Sequence, residues 1–376
     1  MRILHFFKTA LPDTMGGIEQ VIDQICQQSH RMGATCEVLT LSPNPIPATI
    51  EMNGYRVHRV KENLNIASTG FSLEVYSKFK ELARNADIIH YHFPWPFMDL
   101  IHFASCTGKP SVVSYHSDII NQKFLLKLYR PLQNIFLRSV NRIIVSSPNY
   151  LESSAELSAF HDKTTIIPIG LNKESYPIPS TALTTRWAEE MSERFFLFVG
   201  VLRYYKGLHT LMEALQGTGY PMVIVGDGPK KQELMAQAKT MGLQNVHFLG
   251  RLPEADKVAL IQLSTAIVFP SHLRSEAFGV SLLEGAMYGK PMISCEIGTG
   301  TTYINIAGET GLVVPPEHPT ALRQAMQHLW DNPQEALVMG EKAQSRYNLL
   351  FTGEQMTRAH ICLLYTSDAA DEEDSV

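Results

Sequence analysis

Residues 271–290 read SHLRSEAFGVSLLEGAMYGK and follow a short apolar run at residues 265–269. An apolar run of this length is typical of a buried strand. The stretch begins polar and glycine-bearing, and then acquires a helical pattern with Val280, Leu283 and Met287 on one side. It therefore predicts a strand, a loop and a helix, which is the repeating element of a parallel α/β sheet.

Two carboxylates, Glu276 and Glu284, lie eight positions apart in this stretch. Glu276 is expected at the mouth of the helix and Glu284 two turns further on, about 12 Å along the axis. They are too far apart to act on one ligand atom, but a long ligand lying along the helix start can contact both.

Length and charge restrict the class of protein. At 376 residues the chain exceeds the size at which one core keeps growing, so two domains are expected. The formal charge is −5, and the last fifteen residues hold five acids and no Lys or Arg. The rest of the chain is therefore neutral, and no nucleic acid partner is expected. Residues 362–376 also differ in composition, and we interpret them as a non-native acidic tail.

The five cysteines are scattered and never form a CxxC pair. This pattern favours reduced thiols in a cytoplasmic protein over a disulfide framework or a zinc site. Residues 1–7 are too short to be a signal peptide, and no apolar run is long enough to span a membrane.

Strand and helix patterns alternate along both halves of the chain, which predicts two doubly wound parallel sheets. The predicted organisation is a Rossmann-like domain at 1–172, a linker at 173–194 rich in Pro, Ser and Thr, and a second Rossmann-like domain at 195–348. A helix at 349–361 is expected to return to the first domain. Six strands are predicted in the second domain, at 195–199, 222–225, 246–249, 266–269, 291–294 and 311–314. Ligands bind beyond the carboxyl ends of such strands, so the predicted site is a cleft between the two domains.

Glycine turns follow several of these strands. Gly16 and Gly17 open a helix after the first strand, which suits an anion, although a tight turn with no ligand explains them equally well. GVLRYYKG at 200–207 places Arg203 and Lys206 after a strand, where two cations suit a diphosphate; the alternative is a solvated basic turn. Two further turns, GDGP with Gly226 and GTGT at 298–301, are expected at the same sheet edge.

Histidines follow two strands of the first half. His116 comes where its strand gives way to polar Ser117 and Asp118, so its ring is expected at the rim of the cleft. His90 and His92 share one face of their strand, and we interpret them as packing residues because no further set of metal ligands accompanies them.

The chain contains no Asp-x-Asp sequence, so a diphosphate is expected to be held without metal. Residues 119–151 contain no acid, and within them a basic amphipathic segment at 122–142 interleaves Lys and Arg with apolar residues. Such a segment is able to lie on an anionic membrane. The alternative is an ordinary helix that covers a sheet and carries a basic outer face.

The sequence EAFGVSLLE at 276–284 matches the E-x7-E signature of the retaining GT-B glycosyltransferases of family 4, and GVLRYYKG resembles their diphosphate-binding turn. The resemblance covers residues 2–360. Through DTMGGIEQVI, HYHFPWPFMDL, SYHSDI and IGTGTTYIN the chain is most similar to bacterial mannosyl- and rhamnosyltransferases that build O-antigen and related surface polysaccharides from GDP-sugars.

The resemblance implies roles for individual residues. Glu276 would contact hydroxyls of the donor sugar, Glu284 the nucleotide ribose, and Lys206 the diphosphate. His116 would lie beside the reacting sugar. The remaining implied donor-side residues are Gly16, Gly17, Gly226, Phe278, Gly279, Thr299, Gly300 and Thr301.

The chain departs from the family pattern in two places. Val201 stands where many members have an arginine, and Arg203 is expected to replace it. Tyr303 stands where many members have a glutamate, so the loop at 299–301 is expected to contribute backbone contacts instead.

The resemblance implies a metal-independent enzyme that moves mannose or rhamnose from a GDP-sugar, a co-substrate and not a cofactor, to a glycan on polyprenyl diphosphate. A peripheral contact with the cytoplasmic face of the inner membrane, through residues 122–142, is part of this expectation. Two alternatives remain: a nucleotide-sugar epimerase of the same fold, and a non-catalytic nucleotide-sugar binder. A dehydrogenase is disfavoured because the first turn lacks the GxGxxG pattern.

Overall fold

The chain folds into two compact α/β units. One unit comprises Met1–Gly170 and the segment from Gly353 onward, and the other comprises Leu171–Thr352. The structure is a computed structural model that describes residues 1–14, 16–66, 69–119, 123–191 and 194–373, with side chains left undescribed at 123–125 and 367–373.

The first unit contains an eight-stranded sheet and a separate two-stranded hairpin. The sheet has the strand order β10-β9-β8-β7-β1-β2-β4-β3, and only the pairing of β3 with β4 is antiparallel. Its elements are β1 (Arg2–Phe6), α1 (Gly17–Arg31), β2 (Thr35–Ser42), β3 (Thr49–Met52), β4 (Tyr55–Lys61), the hairpin strands β5 (Leu64–Ile66) and β6 (Thr69–Phe71), α2 (Val75–Asn85), β7 (Ile88–Phe93), α3 (Pro96–Ser105), β8 (Ser111–Tyr115), α4 (Lys123–Ser139), β9 (Arg142–Val145), α5 (Pro148–Ser153) and β10 (Thr164–Ile166).

The second unit contains a six-stranded parallel sheet with the order β13-β12-β11-β14-β15-β16. Its elements are α6 (Thr181–Met191), β11 (Phe196–Val199), α7 (Leu208–Leu215), β12 (Met222–Val225), α8 (Lys231–Thr240), β13 (Val246–Gly250), α9 (Glu254–Leu263), β14 (Ala266–Phe269), α10 (Val280–Met287), β15 (Met292–Cys295), α11 (Thr301–Ile304), β16 (Gly311–Val314), α12 (Pro319–Asp331) and α13 (Pro333–Leu350). The chain then forms α14 (Gly353–Glu373), which belongs to the first unit.

Both sheets follow the Rossmann strand order, in which the chain starts at the centre, moves to one edge, and returns to continue on the other side. In the second unit, β11 and β14 are the central neighbours at which this reversal occurs. Strands β7, β11 and β14 are buried along their whole length, and the sequences of β11 and β14 are accordingly continuous apolar runs. The predicted architecture of two Rossmann-like doubly wound sheets is therefore confirmed.

The segment predicted as a linker, 173–194, differs from the structure. Helix α6 occupies much of it and lies within the second unit, with Trp187 and Met191 buried. The indole of Trp187 donates a hydrogen bond to Asp256 on α9 at 2.9 Å. Pro177 and Pro179 precede the helix and are typical of a linker, and only Trp187 and Met191 of the helix are buried, so the helical pattern is weak in the sequence.

The C-terminal boundary also differs from the prediction. A helix was expected at 349–361, whereas α13 extends to Leu350 and α14 begins at Gly353. Leu364 lies beyond the predicted end of the fold at residue 361, yet it is fully buried and packs with Met356 in the core around α1. The position i+8 from Met356 places Leu364 on the same helix face, so the core continues past the change in composition.

None of the described helices is both long enough and apolar enough to cross a membrane.

Candidate functional site

The turn after β11 carries the basic residues of the candidate site. The sequence GVLRYYKG forms a loop and one tight turn before α7 begins, and Gly207 ends that turn at φ +69°. A Cβ atom at Gly207 would lie 1.9 Å from the carbonyl oxygen of Pro270. Glycine is therefore required here, since it lets the turn pack directly against the loop that follows β14.

This packing brings Lys206 and Glu276 together. The Lys206 ammonium donates a hydrogen bond to Oε2 of Glu276, and the Ser271 hydroxyl donates to the same oxygen at 3.3 Å. Both charged residues are more than 90% buried, and Nζ of Lys206 lies 4.6 Å from the centre of the Phe269 ring. The sequence assigned these residues to different parts of one ligand, and the structure shows that they are direct partners.

Glu284 lies on α10 and is buried with partners of its own. Its Oε1 accepts hydrogen bonds from Lys257 Nζ at 2.6 Å and from the Tyr176 hydroxyl at 3.0 Å. Burial lowers the pKa of Lys257, but the carboxylates of Glu284 and Glu254 outweigh this effect and raise it above its ordinary value. Lys257 is therefore charged at physiological pH.

Sequence analysis missed Lys257 and Tyr176. Tyr176 is half-buried, and its pKa is raised first by burial and then by the Glu284 carboxylate, so its hydroxyl remains a hydrogen-bond donor. The contacts of both residues with Glu284 span large sequence separations, and no motif surrounds either residue. The one sequence feature near Lys257 is its i,i+3 spacing from Glu254 on α9, which is typical of an ordinary surface ion pair and does not point to Glu284.

The other glycine turns of the second unit mainly allow neighbouring loops to pack closely against each other. Gly226 has φ +137°, its N–H donates to the Gly250 carbonyl at 2.7 Å, and a Cβ atom there would lie 2.0 Å from the Gly200 carbonyl oxygen. The Gly226 amide is therefore already used within the protein. Gly279, at φ +103°, begins α10 next to Glu276 and Phe278.

The loop after β15 buries its two threonines. The hydroxyls of Thr299 and Thr301 lie 3.3 Å apart, and Thr301 donates to the Cys295 carbonyl at 3.4 Å. Gly300 packs so closely against Phe278 that a Cβ atom would lie 2.4 Å from its ring. The side chains of Thr299 and Thr301 are therefore used within the protein, and the backbone contact with a donor stays a prediction.

Arg203 is exposed, and its guanidinium makes no hydrogen bond or ion pair with the described residues. It lies three residues before Lys206 in the same turn. Its charge is therefore available to an incoming anion.

In the first unit, His116 follows β8 and is partly buried. One ring nitrogen, Nε2, is hydrogen-bonded to His92 Nδ1 at 3.0 Å, and the two rings stack with an interplanar angle of 7°. Burial, reinforced by the neighbouring His360, lowers the pKa of His116 to about 3, so the ring is neutral at physiological pH.

His90 and His92 have a third histidine beside them, which sequence analysis did not find. Because β1 pairs with β7, His5 lies opposite His90, and one nitrogen from each of the three rings lies within 4.8 Å of the others. The rings are hydrogen-bonded within the sheet: His90 Nε2 with Ser114 Oγ at 2.8 Å, and His5 Nδ1 with His92 Nε2 at 3.1 Å. These contacts favour packing over ligation, and the absence of a metal from the reaction stays a prediction.

Gly16 and Gly17 begin α1, and the preceding Met15 lies outside the described residues. A Cβ atom at Gly16 would lie 2.6 Å from a carboxylate oxygen of Glu19. The start of α1 at Gly16, where the sequence suggested an anion, therefore already has the Glu19 carboxylate beside it. A carboxylate in the first turn interacts favourably with the helix dipole.

The burial of Lys206 and Glu276 predicts strong energetic coupling. K206M and E276Q each leave one partner buried without its counter-charge, so each should lower the free energy of unfolding by about 3–5 kcal/mol. The double variant should lose less than the sum, by about 1–3 kcal/mol. Urea unfolding of the four proteins measures this coupling.

The exposed pair Lys78–Glu81 provides the control cycle, K78M with E81Q, whose coupling should not exceed about 0.5 kcal/mol. Equal coupling in the two cycles would contradict the importance of the buried pair.

Comparison with known proteins identifies the family. Residues 182–346 match the family described as Glycosyl transferases group 1, and residues 15–175 match Glycosyltransferase Family 4. The chain is 62% identical over 352 residues to D-rhamnosyltransferase WbpZ of Pseudomonas aeruginosa, covering 94% of this chain and 92% of that protein. It is 47% identical over 366 residues to O-antigen chain mannosyltransferase C of Escherichia coli, covering 97% of this chain and 98% of the relative.

Two solved structures share the fold at low identity. Sucrose-phosphate synthase from Thermosynechococcus elongatus has a TM-score of 0.83 at 21% identity, covering 98% of this chain and 99% of that one. HepE of Anabaena, in complex with UDP and glucose, has a TM-score of 0.81 at 18% identity, covering 97% and 100%. The chain therefore belongs to glycosyltransferase family 4, the glycosyl transferases group 1, and is a glycosyltransferase.

Proposed function

We propose that this glycosyltransferase moves a mannosyl or rhamnosyl group from a GDP-sugar to a lipid-linked glycan, in the synthesis of an O-antigen-like surface polysaccharide. The observation that carries the proposal is the buried contact of Lys206 with Glu276, where β11 and β14 end side by side. The names of the two relatives, a D-rhamnosyltransferase and an O-antigen chain mannosyltransferase, support the choice of sugar and product. The choice of GDP rests on the motif resemblance to enzymes that use GDP-sugars.

The proposed reaction breaks the bond between the sugar C1 and the diphosphate oxygen and forms a bond from C1 to the acceptor oxygen. Negative charge develops on the departing GDP, and the Lys206 ammonium stabilises it together with the exposed Arg203 guanidinium. The acceptor hydroxyl attacks from the side of the leaving group, which retains the configuration at C1. Its proton passes to a phosphate oxygen, so no protein nucleophile and no metal ion are needed.

The two carboxylates position the donor in this proposal. Glu276 accepts hydrogen bonds from sugar hydroxyls, and its fixed contact with Lys206 relates the sugar to the diphosphate. Glu284 accepts hydrogen bonds from the ribose hydroxyls of the nucleotide. Both of its hydrogen bonds to described residues fall on Oε1, which leaves Oε2 for the ribose hydroxyls. Lys257 and Tyr176 hold this carboxylate in place.

The outer face of α4 supports a lipid-linked acceptor. Lys127, Leu128, Ile135 and Arg138 are exposed on this helix, with Leu128 at 69% and Ile135 at 55%. Cationic and apolar side chains on the same exposed surface suit an anionic membrane, where a polyprenyl diphosphate resides. Residue 122 of the predicted membrane segment and the side chains of residues 123–125 lie outside the described part. We infer a cytoplasmic protein that binds the membrane peripherally.

A donor screen tests the proposed function. The protein is incubated with GDP-mannose, GDP-rhamnose or UDP-sugars and a pool of lipid-linked acceptors, and both nucleotide release and the glycosylated product are measured. We expect GDP release only when acceptor is present, with product retaining the configuration of the donor. Turnover of UDP-sugars alone would contradict the donor assignment. Interconversion of the nucleotide sugar without acceptor would indicate an epimerase, and binding without turnover a non-catalytic binder.

The role of Lys206 in leaving-group departure predicts the effect of K206A. Losing a preorganised charge in the transition state should cost about 2–4 kcal/mol, which lowers kcat by about 30- to 1000-fold. K239A removes an exposed lysine from α8 and should leave kcat unchanged. Steady-state kinetics with the donor found in the screen measures both. Unchanged turnover of a folded K206A variant would exclude Lys206 from the reaction.

The proposed membrane contact is tested by placing a carboxylate at each of two equally exposed leucines, one on the proposed membrane surface and one outside it. L128E places a carboxylate on the basic face of α4, and should reduce sedimentation with vesicles of anionic lipid at least tenfold. L349E alters an equally exposed leucine on α13 and should bind as the unaltered protein does. Co-sedimentation at low and high salt measures the effect. Equal binding of L128E and L349E would contradict the proposed membrane surface.

A further inference from the structure

Two histidines and a glutamate of the second unit lie together beside the Tyr204–Lys206 turn. His209 is in the first turn of α7, His272 follows β14, and Glu317 lies between β16 and α12. One ring nitrogen of each histidine and one carboxylate oxygen lie within 4.8 Å of one another. We call these three residues the His–His–Glu cluster.

A backbone contact fixes the tautomer of His272. Its Nε2 lies 3.0 Å from the carbonyl oxygen of Tyr204. A carbonyl oxygen can only accept a hydrogen bond, so Nε2 carries the hydrogen, and in the neutral ring Nδ1 has a free lone pair. Histidines that bind a metal commonly have this arrangement, in which one nitrogen donates to a backbone carbonyl and the other faces the ion.

Nδ1 of His272 faces the Glu317 carboxylate without forming a hydrogen bond to it. The nitrogen lies 3.0 Å from Oε1, and the His272 side chain is only 1% exposed, yet Nδ1 has no hydrogen-bond partner among the described residues. A buried nitrogen in this state calls for an explanation, and an ion is one of the usual ones. Two acceptors at this distance repel each other, whereas a cation between them binds both. The alternative, a protonated ring paired with Glu317, requires an N–H that is aimed at the carboxylate.

His209 supplies the third donor atom. Its ring lies 5.1 Å from the His272 ring and stacks on Tyr204 with an interplanar angle of 3°. Burial, followed by the neighbouring His272, lowers the pKa of His209, so its ring is neutral at physiological pH and has a lone pair to offer. Because the Glu317 side chain is 59% exposed, it is free to close the cluster to the separation of about 3.3 Å that a tetrahedral ion requires of its ligands.

The donor types select the class of metal. Two imidazole nitrogens and one carboxylate suit Zn²⁺, which many proteins bind through three such groups and a water molecule. Mg²⁺ and Ca²⁺ prefer sites made of oxygen ligands alone. The partly exposed side of the cluster, at Glu317, gives the ion a path from solvent.

We propose that His209, His272 and Glu317 form a zinc site that fastens α7 to the loops after β14 and β16. The Tyr204–Lys206 turn directly precedes α7, and His272 is hydrogen-bonded to the carbonyls of both Tyr204 and Tyr205. Bound Zn²⁺ therefore also holds in place the turn that carries Lys206. The site is structural and lies apart from the proposed reaction, which needs no metal ion. It depends only on side chains of the second unit.

Zinc binding is measured by titration calorimetry on the full chain after metal has been removed with EDTA. We expect saturable binding of one Zn²⁺ per chain and no binding of Mg²⁺ at the same concentrations. H209Q and E317Q each remove one donor at a position that is partly or largely exposed, so both variants should fold. Each should weaken zinc binding by about tenfold or more.

H328Q is the matched control. His328 Nε2 lies 3.0 Å from Glu335 Oε2 on the surface, and no third ligand lies beside this pair in the described part of the chain. The variant should bind Zn²⁺ as the unaltered protein does. Absence of saturable binding by the unaltered protein, unchanged binding by H209Q and E317Q, or equal weakening by H328Q would each overturn the proposal.

Hydrogen exchange tests whether the ion fastens the turn. Saturation with Zn²⁺ should slow amide exchange in peptides that contain residues 204–209 of the unaltered protein, because local opening of the turn then requires loss of the ion. The same addition should leave these peptides unchanged in H209Q. Equal exchange with and without zinc in the unaltered protein would show that the ion binds without fastening the turn, and would overturn the proposed role.

Discussion

The buried ion pair between Lys206 and Glu276 joins the two loops on which the candidate site is built. Those loops follow β11 and β14, which are far apart in the sequence but adjacent in the sheet because the Rossmann strand order reverses between them. Two buried charges are costly when they stand alone and acceptable when they are paired and hydrogen-bonded. The loops are therefore held together by the requirement that neither charge remain without its partner.

The same requirement explains how the second carboxylate of the motif is held. Glu284 has its own lysine, Lys257, and a tyrosine hydroxyl, both of which reach it from other elements of the second unit. Each carboxylate of the E-x7-E motif is thus neutralised before any ligand binds. A bound diphosphate would add negative charge beside Lys206, whose ammonium has three N–H donors and can contact phosphate without leaving Glu276. Little reorganisation is then needed at the moment when charge develops on the leaving group.

The parts of the fold that could be predicted are those in which local sequence and tertiary environment agree. Strands β12 and β14 have the predicted bounds because each is a short apolar run that is fully buried. The apolar edge strand β16, which is partly buried, also has the predicted bounds. Strands β3, β5 and β6 were missed because they are short and partly polar, and only their pairing partners stabilise them. Helix α6 was read as a linker for a related reason, since two buried residues are too few to establish a helical period.

The residues of the candidate site also fall into two groups, those that the sequence predicts and those that only the structure reveals. Glu276, Glu284 and Lys206 lie in contiguous motifs, so the sequence alone selects them. Lys257 and Tyr176 could not be found, because nothing near them in the sequence records the carboxylate that they contact.

His5 likewise becomes a neighbour of His90 only through the register of β1 with β7. A motif specifies residues that follow one another along the chain. The strand order decides which distant residues become the ion-pair or hydrogen-bond partners of the motif residues. Contacts of this second kind require the fold to be known first.

The buried lysines of the candidate site and the buried histidines of the first unit are accommodated by opposite means, and this difference affects their response to acid. In the second unit, Lys206 and Lys257 are paired with carboxylates, and the carboxylates beside Lys257 raise the pKa of that lysine above its ordinary value. In the first unit, burial keeps His92 and His116 neutral, with the pKa of His116 near 3 in the folded protein against 6.5 for an ordinary histidine. The unfolded chain therefore binds more protons than the folded one below pH 6.5, and the stability of the first unit falls as the pH drops from there towards 3. The buried, neutral rings of His92 and His116 thus make the first unit sensitive to mild acid.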